Sequence, residues 1–345
     1  MIDVWSFKVV SSNLRSFVIL EGSIFQNSEK KLIKSLLSIK KIQKAIYLNF
    51  SFQNYAMNLE EIYEKILLIR TIENKIDDLF KKGLIQGTAH FCIGQEYIPV
   101  IISQYLKKED SITSNHRGHG HAISKDLDIK KFLAELMGNN LGFNSGKGGS
   151  QHILSKENNF FSNGITGGMV PIANGLAFAN KFKNNSNITV AFLGDGAINE
   201  GYVLESLNLA VVLKLPILFV CENNLYAMST STKKSHSSEI IKKVKGFGME
   251  AEVIEDNDFK KLDELSKKFI KKVREEKIPC FIEIRTYRHC GHSKNDQNLY
   301  RDKAEEEYWF NKDVLKIIEK ELINKEEIQK KIEKKVEEII NSIKW

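Results

Sequence analysis

From residue 59 onward the apolar positions recur with a helical period. Leu59, Ile62, Ile66, Ile69, Ile72, Ile76 and Leu79 are spaced by three and four, with charges between them. That spacing puts one apolar stripe on a helix, and Met57-Asn58 stands directly before it. Shorter helical patterns follow at 97–106 and 129–137, separated by Gly- and His-rich loops. After residue 163 the rhythm changes. An Ala/Gly-rich helical stretch at 171–182 leads to an apolar run at 188–193, a helical stretch at 200–213 and a second apolar run at 216–221. Further strands are predicted at 250–254 and 280–287, the latter with Ile282 and Ile284 alternating. Such alternation predicts an α/β fold: a doubly wound parallel sheet with helices on both faces. Past Asp302 the chain turns Glu/Lys/Ile-rich, and 321–345 is expected to be a solvated helical C-terminal tail.

The charge divides the chain further. Residues 1–56 hold seven Lys and one Arg against Asp3, Glu21 and Glu29, which accounts for +5 of the net +7. The body beyond them is close to neutral, so the basic face that nucleic acid requires is not expected. This basic N-terminal extension carries none of the chemistry below. It reads as a targeting or accessory leader, an over-long start, or a poorly ordered extension, and 57–320 reads as the working domain. An apolar share of 42% supplies a well-filled core. No stretch reaches the ~18 uninterrupted apolar residues of a membrane span. Cys92, Cys221, Cys280 and Cys290 have neither metal-ligand nor disulfide-framework spacing, and a reducing compartment is expected.

The candidate chemistry sits at the ends of the two apolar runs. Gly194-Asp195-Gly196 follows the first, and Asn223-Asn224 follows the second. In a parallel sheet both ends open on one crevice, where ligands bind. A carboxylate, a side-chain amide and a nearby main-chain carbonyl are the hard oxygen ligands that Mg²⁺ takes, with phosphate oxygens completing the octahedron. The two glycines let the backbone approach a diphosphate. Gly196 and Ala197 are expected to open the following helix, whose N–H groups suit an anion. His119 and His121 have no cysteine or carboxylate at ligand spacing, which argues against zinc.

This arrangement resembles the thiamin diphosphate motif. Residues 59–320 resemble the alpha subunit of the decarboxylating first component of the 2-oxo acid dehydrogenase complexes. Five further segments carry the likeness: Gly87-Thr-Ala-His90 with Gly94-Gln-Glu96, His116-Arg-Gly-His-Gly-His121, Gly146-Lys-Gly-Gly-Ser-Gln-His152, Gly164-Ile-Thr-Gly-Gly-Met-Val-Pro171 and Tyr287-Arg-His-Cys-Gly-His-Ser293. Seven of the eight histidines, all but His236, fall within them.

The resemblance implies thiamin diphosphate and Mg²⁺ as cofactors. It implies Asp195, Asn224 and the main-chain carbonyl of Tyr226 as metal ligands, and Arg117 on the diphosphate. His116 joins the cofactor site at a position often held by Tyr in pyruvate-using relatives. The backbone at Gly164 and Thr166 holds the aminopyrimidine, with Gly194, Gly196 and Ala197 beside the diphosphate. His90 and His292 are implied at the substrate end, where an imidazole titrating near neutrality would move protons during acyl transfer to lipoamide. Ser293 matches a serine phosphorylated in animal members, although loop hydrogen bonding is the preferred role. Cys290 departs from the family's Arg or His. The carboxylate that activates the cofactor lies in relatives on a second domain or a beta subunit. An alpha-two beta-two assembly with a lipoyl-bearing acyltransferase is therefore expected, in a bacterial cytoplasm, or in an organelle matrix if 1–56 is a leader. Pyruvate is the expected substrate and acetoin the alternative. Behind them stand branched-chain 2-oxo acids, a split transketolase half and a catalytically decayed scaffold.

Overall fold

The structure, a computed structural model, describes residues 58–343. The basic extension 1–56 lies outside the described residues. Helix α1 (Leu59–Lys81) begins where Asn58 caps it: the Asn58 side chain accepts from Glu61 N, and the Glu61 carboxylate accepts from Asn58 N. That reciprocal pair satisfies two otherwise orphaned donors. Next come α2 (Tyr97–Ser103), β1 (Ser111–Ser114), α3 (His119–Ser124), α4 (Ile129–Leu136), β2 (Leu154–Ser155), β3 (Phe160–Ser162) and α5 (Met169–Phe182). The second half runs β4 (Thr189–Gly194), a 3-10 turn (Asp195–Asn199), α6 (Gly201–Val212), β5 (Ile217–Asn223), β6 (Tyr226–Ala227), β7 (Thr230–Ser231) and α7 (Thr232–Ser235). It closes with α8 (Ile240–Gly246), β8 (Glu250–Ile254), α9 (Phe259–Glu276), β9 (Cys280–Arg285), α10 (Lys303–Phe310), α11 (Val314–Glu319) and α12 (Lys325–Asn341).

Seven strands form one sheet in the order β2-β3-β1-β4-β5-β9-β8. All its pairings are parallel except β2 with β3. The expected doubly wound α/β architecture is present. Its central strands are buried along their length, as a sheet covered on both faces requires. Ala191, Leu193, Phe219, Cys221 and Phe281 form a core under α5 and α6 with Ala173, Ala177, Val203 and Leu207.

Three expectations need correction. Gly196 and Ala197 lie in the 3-10 turn, and the α-helix begins only at Gly201. The segment after Arg117 was expected to be a loop but forms α3. The C-terminal helix is not a solvated tail, because Ile328, Ile332 and Val336 are buried on α12. Those residues recur every fourth position and dock against α1, where Gln329 Nε2 donates to Tyr63 Oη at 3.2 Å.

Candidate functional site

In the sheet β1 is flanked by β3 on one side and β4 on the other, so the winding reverses between them. At such a switch point the loops leaving neighbouring strands part and leave a crevice. Here Asn115-His116-Arg117 leave β1, Asp195 leaves β4 and Asn224 leaves β5. A cleft of 360 Å³ opens at this point. The residues nominated for cofactor, metal and substrate line it: His90, His116, Arg117, Gly164, Thr166, Gly194, Asp195, Gly196, Ala197, Asn224, Tyr226 and His292.

In this cleft Asp195 is 2% exposed, and among the described residues its Oδ2 has no hydrogen-bond partner. Burial pushes its carboxyl up to about 6. A buried carboxylate oxygen with no donor suits a cation, and the neighbouring oxygens are of the same hard kind. Asn224 Oδ1 and the Tyr226 carbonyl both accept from Arg288 Nη1, at 3.4 and 2.9 Å. The second arm of Arg288 donates to Met228 O at 2.6 Å and Tyr300 Oη at 2.7 Å. Between Asn224 and Tyr226, Leu225 takes a left-handed φ of 72°. That uncommon conformation lets both flanking residues line the same cleft. Opposite, a Cβ on Gly196 would come within 2.7 Å of Ala227 Cβ, so only glycine allows this approach.

Arg117 forms one wall and is 4% exposed. Its Nη1 donates to Phe91 O at 2.6 Å and its Nη2 to His292 O at 3.2 Å. Burial and then the Arg288 charge bring its pKa down to about 10, so it remains a cation. It therefore ties together the segments that carry His90 and His292 as well as charging the cleft.

The substrate end is a three-histidine cluster. His90 lies 4.8 Å from His116 and 4.9 Å from His292 between ring centroids. Burial first, and then Arg117, pushes His90 down to about 3 and His292 to about 4. His116 is lowered by the same two causes. The expectation of imidazoles titrating near neutrality is thus corrected: near pH 7 these rings are neutral. His292 Nδ1 is buried without a hydrogen-bond partner among the described residues.

His119 and His121 are structural members of hydrogen-bond series. His119 bridges Glu73 Oε1 at 2.5 Å and Ser150 Oγ at 2.7 Å. His121 bridges Ser114 Oγ at 2.7 Å and Glu222 Oε1 at 3.0 Å while stacking on Phe192. Glu222 reaches the cleft, where Asn115 Nδ2 donates to its Oε2 at 3.4 Å.

Sequence reasoning gave no role to Arg288, Glu222, Asn115 or Gln151, which all line the cleft. The only available signal was their place inside or beside the quoted motifs. Their partners lie far away in the chain, at separations such as the 64 residues between Arg288 and Asn224.

Residues 64–343 match the family described as the dehydrogenase E1 component. The chain is 38% identical over 284 residues to the pyruvate dehydrogenase E1 component subunit alpha of Rickettsia conorii, covering 81% of this chain and 87% of that protein. The same-named subunit of Rickettsia prowazekii is 40% identical over an equal span with the same coverage. That of Rhizobium meliloti is 38% identical over 245 residues, 70% of each chain.

Proposed function

The chain belongs to the dehydrogenase E1 component family, and on that premise we propose that it is the alpha subunit of a pyruvate dehydrogenase. In this reading it acts with thiamin diphosphate and Mg²⁺, decarboxylates pyruvate and passes the acyl group to a lipoyl arm. Two features support the substrate and the assembly. The relatives above share one name, and α5 and α6 carry exposed Ile172, Phe178, Phe182, Leu209 and Val212, Phe182 being 82% exposed. An apolar face of that kind suits a protein that works against a partner subunit. In the proposed assembly a beta subunit supplies the carboxylate that activates the aminopyrimidine.

The observation that carries the reading is the buried, unpartnered Asp195 oxygen, which shares one cleft with Asn224 and the Tyr226 carbonyl. These three would hold the metal. Bound thiamin diphosphate supplies the electron sink for loss of CO₂. Arg288 holds the Asn224 and Tyr226 oxygens in place, and Arg117 contributes a fixed positive charge along the cleft wall. His292 offers an unpartnered ring nitrogen that would hold or release a proton during acyl transfer.

The test is calorimetry of thiamin diphosphate binding to the assembled protein, with and without Mg²⁺. Asp195→Ala is expected to abolish the Mg²⁺-dependent binding while the far-ultraviolet circular dichroism stays unchanged, because a first ligand oxygen is lost. Undiminished affinity in that variant would remove the basis of the reading.

A further inference from the structure

We propose that Gln151 is a positioning residue of the substrate end: its amide fixes the orientation and tautomer of His90, and a buried Glu73–His119–Ser150 series holds it there. The claim about function rests on the reading above; the claim about the tautomer does not.

Gln151 Nε2 lies 2.9 Å from His90 Nδ1. An amide nitrogen only donates, so Nδ1 accepts and the ring proton resides on Nε2. His90 then presents an N–H donor to the cluster it shares with His116 and His292. The Gln151 backbone is tied down and its side chain is given room. Its own main-chain carbonyl accepts from Ser162 Oγ at 3.0 Å. A Cβ on Gly164 would collide with Gln151 Oε1, so a glycine leaves the amide its room.

The residue before it, Ser150, reaches His119 Nε2 at 2.7 Å, and His119 Nδ1 reaches Glu73 Oε1 at 2.5 Å. Glu73 and His119 are both 0% exposed. The other oxygen, Glu73 Oε2, accepts from Cys92 N at 2.7 Å, two residues beyond His90. One buried carboxylate therefore anchors both the segment that carries His90 and the segment that carries Gln151. A fully satisfied buried network of this kind fixes one geometry. Burial opposes the protonation of His90 most, followed by Arg117, His292, His119 and Arg288, and His116 packs edge-on against the ring. With protonation opposed, the tautomer that the amide selects decides what His90 offers to substrate.

Two variants test this in the assembled enzyme. Gln151→Met keeps the length and removes the donor. Gln151→Glu replaces it with an acceptor, which draws the ring proton to Nδ1 and leaves Nε2 as an acceptor. Q151M is expected to slow lipoyl acylation roughly tenfold, the worth of one lost hydrogen bond, with thiamin diphosphate affinity held within about twofold. Q151E is expected to raise the His90 ionisation in the acylation profile by about one pH unit or more relative to wild type. Nitrogen NMR of the His90 ring in the full chain, assigned against His90→Asn, reads the tautomer directly: Nε2–H in wild type and Nδ1–H in Q151E. The same tautomer in both overturns the proposal. So does equal slowing of both variants with a wild-type-shaped profile, which loss of packing alone would give. If the wild-type assembly fails to acylate lipoyl groups at all, the functional reading falls, and the NMR comparison still decides the role of Gln151.

Discussion

At the scale of single residues, the histidines reverse the usual picture of an imidazole poised near neutrality. His90 is held to about 3, and His292 and His289 to about 4, in each case chiefly by burial. For His289 the nearby Asp313 carboxylate, 3.8 Å away, partly offsets that cost. The ordinary value is 6.5, so between 6.5 and 4 the unfolded chain binds more protons than the folded one. The share of stability that rests on these histidines is therefore complete above the upper value and falls as pH drops through the window. Scanning calorimetry across this range should show a smaller decline of the thermal midpoint in His289→Phe than in the parent chain, because the variant removes one of these groups. A decline in His289→Phe as steep as that of the parent chain would contradict the burial account. Asp195 was legible in the sequence because its chemistry depends on a short turn between two strand-like runs. Arg288 was not, because its function lies in the distant carbonyls and amide it holds.

At the scale of elements, long periodic segments were legible and short polar ones were not. The stripe from Leu59 to Leu79 gave α1, and the apolar runs gave β4 and β5. Strand β1 reads Ser-Ile-Thr-Ser, a composition with no strand signature, yet all four residues are buried. Its polarity has a use, since Ser114 meets His121 where the strand enters the cleft. The C-terminal helix was misread because its sparse isoleucines look like a solvated face among many charges. In the fold they lie on one side and press on α1. Ile332 is 0% exposed there. Ile332→Ala should cost about 2–4 kcal/mol, the range for removing a buried Ile side chain. Urea unfolding followed by tryptophan fluorescence checks this. A loss below about 1 kcal/mol would mean that the helix is only loosely applied.

At the scale of the whole molecule, the alternation of strands and helices announced a parallel sheet, but the strand order was not readable. β9 inserts between β5 and β8, and β3 sits beyond β1, through pairings that local sequence does not encode. The consequence of that order was nonetheless foreseen: motif residues spread from His90 to His292 meet in one cleft. On the proposed function this cleft is half of a decarboxylating centre, completed by a second subunit. The most direct measurement is pyruvate decarboxylation with an artificial electron acceptor, with thiamin diphosphate and Mg²⁺ present, for the chain alone and after mixing with its beta subunit. On this function the isolated chain gives no turnover and the mixture does. Turnover by the chain alone, or none from the mixture, would contradict it.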